Sequence, residues 1–289
     1  MPITPAHPDY AELRQIADAL IAAGGGAARL EALVGDLLRD CIDGVIKTPK
    51  TGRRFHHELQ NSEKTYIGTC VEIDLRSKLE LPRGTVLDLS VAGREVDVKF
   101  SQSTSWMIPP EASGRACILI SANETTSRCS FGVFIAKPEY LSAPNRDQKR
   151  GITANGRQNV LWLVQDQPYP ENFWQTVSAE IARRISAGAS GNERMMTLFR
   201  EVTDRPISRK VVEGVAEQRD FMRRVRADGD RGTRNVLARE GILLLSGTWQ
   251  RDRDLITQLG LPPISRDEFM SHRLGPPEVP AARAAGFQV

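Results

Sequence analysis

The sequence has few cysteines, and their spacing gives them no shared function. The four cysteines lie far apart, no C-x-x-C pair occurs, and the four histidines do not complete a zinc-binding pattern with them. Reduced and mostly buried thiols are therefore expected at Cys41, Cys70, Cys117 and Cys129.

Long apolar runs are also missing. No run approaches the roughly 18 residues of a membrane span, and the N-terminus lacks the basic and apolar regions of an export signal. The sequence contains no internal repeat. These absences predict a cytoplasmic protein without a membrane partner, and 289 residues with 40% apolar content suit two domains of ordinary size.

The net charge of +3 does not by itself indicate a nucleic-acid partner, but its distribution does. Residues 1–150 hold 19 basic and 19 acidic side chains, whereas residues 183–239 hold 14 basic and 8 acidic ones. Nearly all of those bases are arginine, whose forked guanidinium suits phosphate contacts. The second half is the predicted electrostatic footprint, with a solvated, charge-laced helical surface as the alternative.

Periodicity predicts helices followed by strands in the first half. Apolar residues recur at helical spacing over 9–23, 30–42 and 62–79, and buried strands are predicted at 117–120 and 131–135. This order predicts an α/β (α+β) core. Two prolines between 165 and 170 put the domain boundary near there. The expected domains are 1–168, 169–275 and 276–289, the last a flexible, Ala/Pro-rich tail.

The second half is predicted to be mostly helical. Helices are expected over 173–187, 192–202 and 207–218, and the four-residue break at 203–206 fits a helix-turn-helix. An ordinary helical hairpin is the alternative. A short strand at 241–247 suits the wing of a winged helix. The candidate DNA-binding side chains here are Arg209 and Lys210 on the second helix and the dense cluster Arg223, Arg224 and Arg226.

The segment 87–100 reads as two alternating strands joined by a turn at Ala92-Gly93. If Val91 pairs with Arg94, Asp88 faces Asp97, and period-two geometry puts Lys99 on the same face. Two carboxylates about 5 Å apart repel by about 3 kcal/mol at an effective dielectric near 20. Folding alone does not favour this pair, whereas Mg²⁺ prefers such oxygens. An exposed polar hairpin face is the alternative.

Glu72, on the helix before the hairpin, is a candidate fourth member of the group. It is near enough in sequence to point at the same cleft, although an i+4 pair with Arg76 would also explain it. Together the set predicts metal-assisted phosphodiester hydrolysis. Asp88 and Asp97 would hold Mg²⁺, Lys99 would help to activate water, and Glu72 would complete the metal shell or position its waters.

These residues fit the PD-(D/E)xK nuclease pattern, and the longer match resembles the NaeI-type restriction endonucleases. The resemblance runs from about Thr51 to Pro263. Leu87 stands where the superfamily formula has proline. The matching blocks are Glu63-Lys64-Thr65, Gly68-Thr69, Val71-Glu72-Ile73, Asp88, Ala92-Gly93, Glu95-Val96-Asp97, Lys99, Ser101-Gln102, residues 106–112, Asn145-Arg146-Asp147, Lys149-Arg150, Met222 and Arg224-Val225-Arg226.

The resemblance implies an N-terminal nuclease domain and a C-terminal domain with a winged-helix, CAP-like motif. It implies a homodimer of a restriction-modification system that cuts both strands of duplex DNA with Mg²⁺, and a second DNA site bound as effector by the basic half. By carry-over, the catalytic residues are Glu72, Asp88, Asp97 and Lys99, with the three carboxylates as metal ligands.

Two segments flank the proposed site and carry candidate DNA contacts. The loop 51–64 offers Arg53, Arg54 and Lys64, and the segment 101–106 offers Gln102 and Ser103. Each of these is equally explained as a surface or loop-capping residue, and Trp106 to Pro110 is expected to be packing.

Two other functions remain open from the sequence. One is a mismatch-repair-like nicking endonuclease that uses the same metal site on one strand. The other is a winged-helix regulator whose nuclease half is architectural, against which stands the complete acidic set.

Overall fold

The computed structural model describes residues 3–217 and 232–288. The chain forms two compact units. The first comprises the chain up to Ile46 together with Phe55–Asn172, and the second comprises Lys47–Arg54 and the chain from Phe173 onward. Lys47–Arg54, expected within the nuclease domain, therefore belongs to the second unit, and the division falls after Asn172 instead of residue 168.

Helices come first along the described residues, strands follow, and both alternate in the C-terminal part. The α-helices are α1 (Tyr10–Ala23), α2 (Ala27–Ile46), α3 (Thr48–Thr51), α4 (Asn61–Lys78), α5 (Ala154–Arg157), α6 (Ala179–Ser186), α7 (Gly191–Glu201), α8 (Arg209–Ala216), α9 (Thr233–Arg239), α10 (Gln250–Gln258) and α11 (Val279–Ala284). The strands are β1 (Leu89–Val91), β2 (Arg94–Ser101), β3 (Met107–Ile108), β4 (Ala116–Asn123), β5 (Arg128–Ile135), β6 (Leu141–Pro144), β7 (Arg150–Ile152), β8 (Leu161–Pro168), β9 (Ile207–Ser208), β10 (Ile242–Ser246) and β11 (Glu268–Arg273). Short 3-10 helices span His56–Glu58, Pro110–Ala112, Pro138–Tyr140, Phe173–Gln175 and Pro276–Glu278.

A mixed five-stranded sheet organises the first unit. Its strand order is β1-β2-β4-β5-β8, and β2 runs parallel to β4 while the other pairs are antiparallel. One face buries Val96 and Val98 in a core shared with α1, α2 and α4. Helix α4 contributes Ile67, Val71 and Leu75, whose steps of four put them on one helical face.

The opposite face of this sheet carries a second core. Cys117 and Leu119 of β4 lie there with Trp106 and Ile108. A small sheet of order β3-β7-β6 contributes to the same core. Because side chains alternate along a strand, β2 presents Asp97 and Lys99 on the face opposite Val96 and Val98. The expected mixed α and β architecture is confirmed in this unit.

The second unit combines helices with an antiparallel sheet of order β10-β11-β9. Alternating residues of β10 enter two cores. Ile242 and Leu244 pack with α7, α8 and α9, whereas Leu243 and Leu245 pack with α10 and α11.

Three local expectations for this unit were wrong. The helix expected over 173–187 is a 3-10 turn followed by α6, because Ser178 caps the helix by accepting a hydrogen bond from Ile181 N–H. Ile207 is not helical, since it pairs with Phe269 in the sheet. The expected flexible tail contains α11, where Ala282 is fully buried in an apolar cluster.

All four cysteines carry free thiols in the structure, and three of them are buried. In residues 3–217 and 232–288, no helix has the length and apolar character needed to cross a membrane.

Candidate active site

The hairpin of β1 and β2 has the predicted register. Val91 pairs with Arg94, and Leu89 pairs with Val96. Ala92 and Gly93 both adopt positive φ, at 51° and 74°, as a two-residue type I′ turn requires. Continuing the ladder by one residue from Leu89 brings Asp88 opposite Asp97.

Asp97 and Lys99 form an ion pair on the shared face of β2. Lys99 Nζ lies 2.7 Å from Asp97 Oδ2, and the Asp97 side chain is only 5% exposed. The same ammonium donates a hydrogen bond of 3.1 Å to the Val98 carbonyl. Lys99 thus contacts two oxygen atoms, one of which belongs to the carboxylate that was expected to hold Mg²⁺.

Asp88 is fixed by the backbone of the facing strand. Its Oδ2 accepts a hydrogen bond of 2.7 Å from Val98 N–H. Asp88 also raises the pKa of Asp97, so the two carboxyl groups lie within electrostatic reach of each other. Two opposed carboxyl groups at this range favour a shared proton or a neutralising cation.

Burial and this proximity perturb the acidic groups. Desolvation raises the pKa of Asp97 to about 6, with Lys99 opposing the rise and Asp88 adding to it. Burial, followed by repulsion from Asp88, also raises the pKa of Glu72, and Lys99 acts in the opposite direction. Glu72 on α4 is therefore within electrostatic reach of both Asp88 and Lys99, as the sequence predicted.

The three carboxylates do not form a ready-made metal cage. Within the described part of the chain, no group of three or more histidine, cysteine, aspartate or glutamate side chains is arranged to hold a metal ion. Asp88 and Asp97 are the members of the expected ligand set that lie opposite each other in the hairpin register, and Asp88 raises the pKa of Asp97. Glu72, expected as a third ligand, interacts with Asp88 through space in this arrangement.

The predicted DNA-contact residues of the loop 51–64 have different surroundings. Arg54 donates hydrogen bonds to the backbone carbonyls of Trp174, at 2.7 Å, and of Val177. Its guanidinium therefore ties residues 47–54 to the second unit, which is a structural role. Arg53 is half-buried, and its backbone N–H donates to Thr51 Oγ1. Lys64 lies half-buried in the first turn of α4.

The segment after Lys99 is held by local hydrogen bonds. Ser103 Oγ accepts from Ser105 N–H at 3.3 Å, and Ser103 N–H donates to Ser101 Oγ at 3.1 Å. The side-chain Nε2 of Gln102 is buried without a hydrogen-bond partner among the described residues. Trp106 is 2% exposed and donates to the Ile120 carbonyl, which confirms it as packing.

The predicted contacts of the second unit are only partly described. Arg209 begins α8, with its guanidinium carbon 5.7 Å from the centre of the Phe269 ring and its Nε 3.6 Å from Asp267. Lys210 follows it in the same turn. Arg223, Arg224 and Arg226 lie outside the described residues.

Glu95 makes contacts at this site that sequence reasoning did not foresee. It entered the sequence argument only as part of a matching block. Its carboxylate accepts hydrogen bonds from three consecutive backbone N–H groups immediately before Asp88, and these bonds lower the pKa of Glu95 to about 2. A glutamate two residues before Asp97 was the available signal, but its partners depend on the loop conformation.

Comparison with known proteins identifies the family of the chain. Residues 30–284 match the family model described as Restriction endonuclease NaeI. Over 248 residues the chain is 36% identical to the Type II restriction enzyme NaeI of Lentzea aerocolonigenes, and the match covers 83% of this chain and 77% of that protein.

These matches define the class as that of type II restriction endonucleases, which are site-specific deoxyribonucleases acting on double-stranded DNA. The chain belongs to the NaeI restriction endonuclease family.

Proposed function

We propose that the hairpin site catalyses Mg²⁺-dependent hydrolysis of both strands of a specific DNA sequence. The observation that supports this most directly is the meeting of Asp88, Asp97 and Lys99 on one face of β1 and β2. Glu72 approaches the same group from α4. A sheet that needed only stability has no use for opposed carboxylates.

The donor set fits Mg²⁺. This ion is usually held by one or two carboxylates together with waters and substrate phosphates. Asp88 and Asp97 would supply those carboxylates, and the Val98 carbonyl offers a further oxygen. When bound, the ion would supply a more acidic water and offset charge on the phosphate. Glu72 fits better as a residue that positions waters than as a direct third ligand.

Lys99 would act on the attacking water. Its ammonium already lies 2.7 Å from Asp97 and 3.1 Å from the Val98 carbonyl, so it is held at the site by two oxygen acceptors. From there it would orient the water, take part in removing its proton, and offset the charge that develops on the phosphate.

Plasmid cleavage with and without Mg²⁺ tests this function. Wild type should give linear product only with the metal, and sequencing the ends of cleaved phage DNA should reveal one recurrent sequence. Asp97→Ala should abolish cleavage and leave DNA binding intact. Asp18→Asn, on an exposed ion pair of α1, is the matched control. Unchanged cleavage by Asp97→Ala would contradict the proposal, and accumulated open circle would instead support a nicking enzyme.

Flanking side chains are proposed to contact the DNA. Gln102 is kept among them because an amide can pair with a base edge. Arg53, Lys64 and Ser103 remain candidates for phosphate contact. We leave out Arg54, whose backbone hydrogen bonds already account for it.

The second unit is proposed to be a winged-helix domain that binds a second DNA copy. Helices α7, α8 and α9 precede the antiparallel strands β10 and β11, between which α10 lies, and β9 pairs with β11, an arrangement that suits this motif. Arg209 and Lys210 lie in the first turn of α8, where a recognition helix meets bases and phosphates. Arg223, Arg224 and Arg226 lie outside the described residues and stay predicted DNA contacts.

Activation by a second site predicts that plasmids with two sites are cut faster than plasmids with one. A short duplex carrying the site should restore cleavage of the one-site plasmid. Arg209→Ala with Lys210→Ala should remove this activation and retain Mg²⁺-dependent cleavage of two-site DNA at a reduced rate. Equal rates on one-site and two-site plasmids would exclude the effector role.

A homodimer is proposed because residues 3–217 and 232–288 carry one such hairpin site and double-strand cleavage needs two. Sedimentation should give about twice the 32.0 kDa chain mass. A monomeric mass in the presence and absence of DNA would contradict this assembly.

A further inference from the structure

The loop before Asp88 is held by a glutamate carboxylate. Glu95 Oε1 accepts from Thr85 N–H at 2.7 Å, and Oε2 accepts from Val86 N–H at 3.0 Å and Leu87 N–H at 2.7 Å. Hydrogen bonds to a charged acceptor are about twice as strong as neutral ones. One side chain therefore satisfies three neighbouring backbone donors.

Packing holds this loop at only one end. Leu87 is 7% exposed, but Val86 is 59% exposed and Thr85 is also exposed. Thr85 and Val86 are exposed, so packing does little to hold them. The hydrogen bonds that their N–H groups donate to Glu95 hold them instead.

The loop leads directly into Asp88. Gly84 N–H donates to the Asp88 carbonyl at 3.3 Å, so the loop closes on the residue that follows it. The Asp88 carboxylate is fixed separately by Val98 N–H. Glu95 and Asp97 lie on the same strand, so their strand holds both the loop and the residue that faces Asp88.

We propose that Glu95 is a positioning residue, which sets the place of the Asp88 carboxylate relative to Asp97 by holding residues 85–87. The inference rests on the proposed function, because it assigns Asp88 a part in the chemistry. Glu95 acts through the loop and has no contact of its own with substrate or reacting atoms.

Gly84 gives an independent way to disturb the same loop. A Cβ at this position would lie 2.3 Å from the Leu87 carbonyl oxygen and 2.7 Å from Glu95 Oε2. Backbone cannot yield cheaply at such a distance. Gly84→Ala should therefore displace the loop without changing any charge.

The test compares Glu95→Ala, Glu95→Gln and Gly84→Ala with Asp88→Ala and wild type. The control is Glu139→Gln, which makes the same charge change at an exposed position. Steady-state cleavage gives kcat and KM, and hydrogen exchange of the metal-free proteins gives protection at residues 85–88. Glutamine keeps one acceptor oxygen but turns an NH₂ group toward backbone donors. The activity and the protection of Glu95→Gln should therefore lie between those of wild type and Glu95→Ala.

A misplacement of about 1 Å costs on the order of 100-fold in rate. We expect kcat to fall roughly 10- to 100-fold in Glu95→Ala and Gly84→Ala, with KM nearly unchanged. Protection at residues 85–87 should be lost in both variants while overall unfolding temperature changes little.

The outcomes separate this inference from the proposed function. If Asp88→Ala is inactive and Glu95→Ala and Gly84→Ala cleave normally, the positioning role is wrong and the active site stands. If Asp88→Ala cleaves like wild type, the site itself is wrong. Loss of activity in Glu95→Gln with full protection at 85–87 would also overturn the inference, because charge would then act without movement of the loop.

Discussion

Asp97 should make the metal-free protein less stable at neutral pH than an amide at the same position would. Its pKa is raised to about 6 from an ordinary 3.8, first by burial. At roughly 1.4 kcal/mol per pH unit, this gap corresponds to about 3 kcal/mol. A folded-state pKa above the unfolded value stabilises the fold below pH 3.8, and this contribution is lost as pH rises to about 6.

The assay is equilibrium unfolding of wild type and Asp97→Asn in a chelating buffer. The two proteins should have similar free energies of unfolding near pH 4, where the wild-type carboxyl is protonated. By pH 8 the variant should be more stable by up to about 3 kcal/mol. The second unit is identical in both proteins, so its contribution cancels in the difference.

Adding Mg²⁺ should reduce the difference in unfolding free energy between the two proteins, because an ion held at the proposed site by the charged carboxylate of wild type would stabilise the fold by mass action. A difference between the two proteins that stays constant from pH 4 to 8 would refute the reasoning. It would mean that Asp97 ionises as an ordinary aspartate and that its burial next to Asp88 has no energetic consequence.

Three further predictions concern stability. Ala92→Asn should stabilise the protein by about 1 kcal/mol, because Ala92 has φ of 51° and asparagine tolerates this region better; a lower melting temperature would contradict this. The His272 ring hydrogen-bonds to Asp204 at 2.6 Å and to Glu278 at 3.0 Å. Burial lowers the pKa of His272, but these two carboxylates outweigh burial and raise it. Wild type should therefore lose stability as pH rises above the ordinary histidine pKa of 6.5, and His272→Gln should lack this loss in urea titrations at pH 6 and 8. Glu124→Ala should cost about 1.5–3 kcal/mol, because it removes one of the two carboxylates that pair with the buried Arg39 and leaves only Asp43; a calorimetric shift no larger than that of Asp18→Asn would contradict this destabilisation.

The register of the hairpin could be predicted from the sequence because it depends only on neighbouring residues. Alternation fixes which residues share a face, and the turn at Ala92-Gly93 fixes the register, so the meeting of Asp88 with Asp97 follows from counting. The helical spacing of α4 likewise directed Glu72 toward the same group.

Features that depend on distant backbone were not predictable in this way. The three donors to Glu95 exist only once residues 84–87 have turned, and no side-chain pattern records that turn. Ile207 looked helical by its apolar neighbours, but pairing with Phe269 more than 60 residues away made it a strand. The burial of Ala282 in its apolar cluster similarly overrode a composition typical of loose tails.

Because residues 47–54 belong to the second unit, one cleavage of the chain cannot separate the two units. A cleavage after Asn172 would leave α3 and Arg54 on the N-terminal fragment, away from the Trp174 and Val177 carbonyls to which Arg54 donates. During synthesis, more than 100 further residues must be added after residues 47–54 before the carbonyl groups of Trp174 and Val177 exist. Recombination between related enzymes that exchanged only the C-terminal half would combine a new C-terminal domain with residues 47–54 from the other parent. To be inherited whole, the second unit therefore needs two stretches of the gene, and one of them lies within the sequence that encodes the first unit.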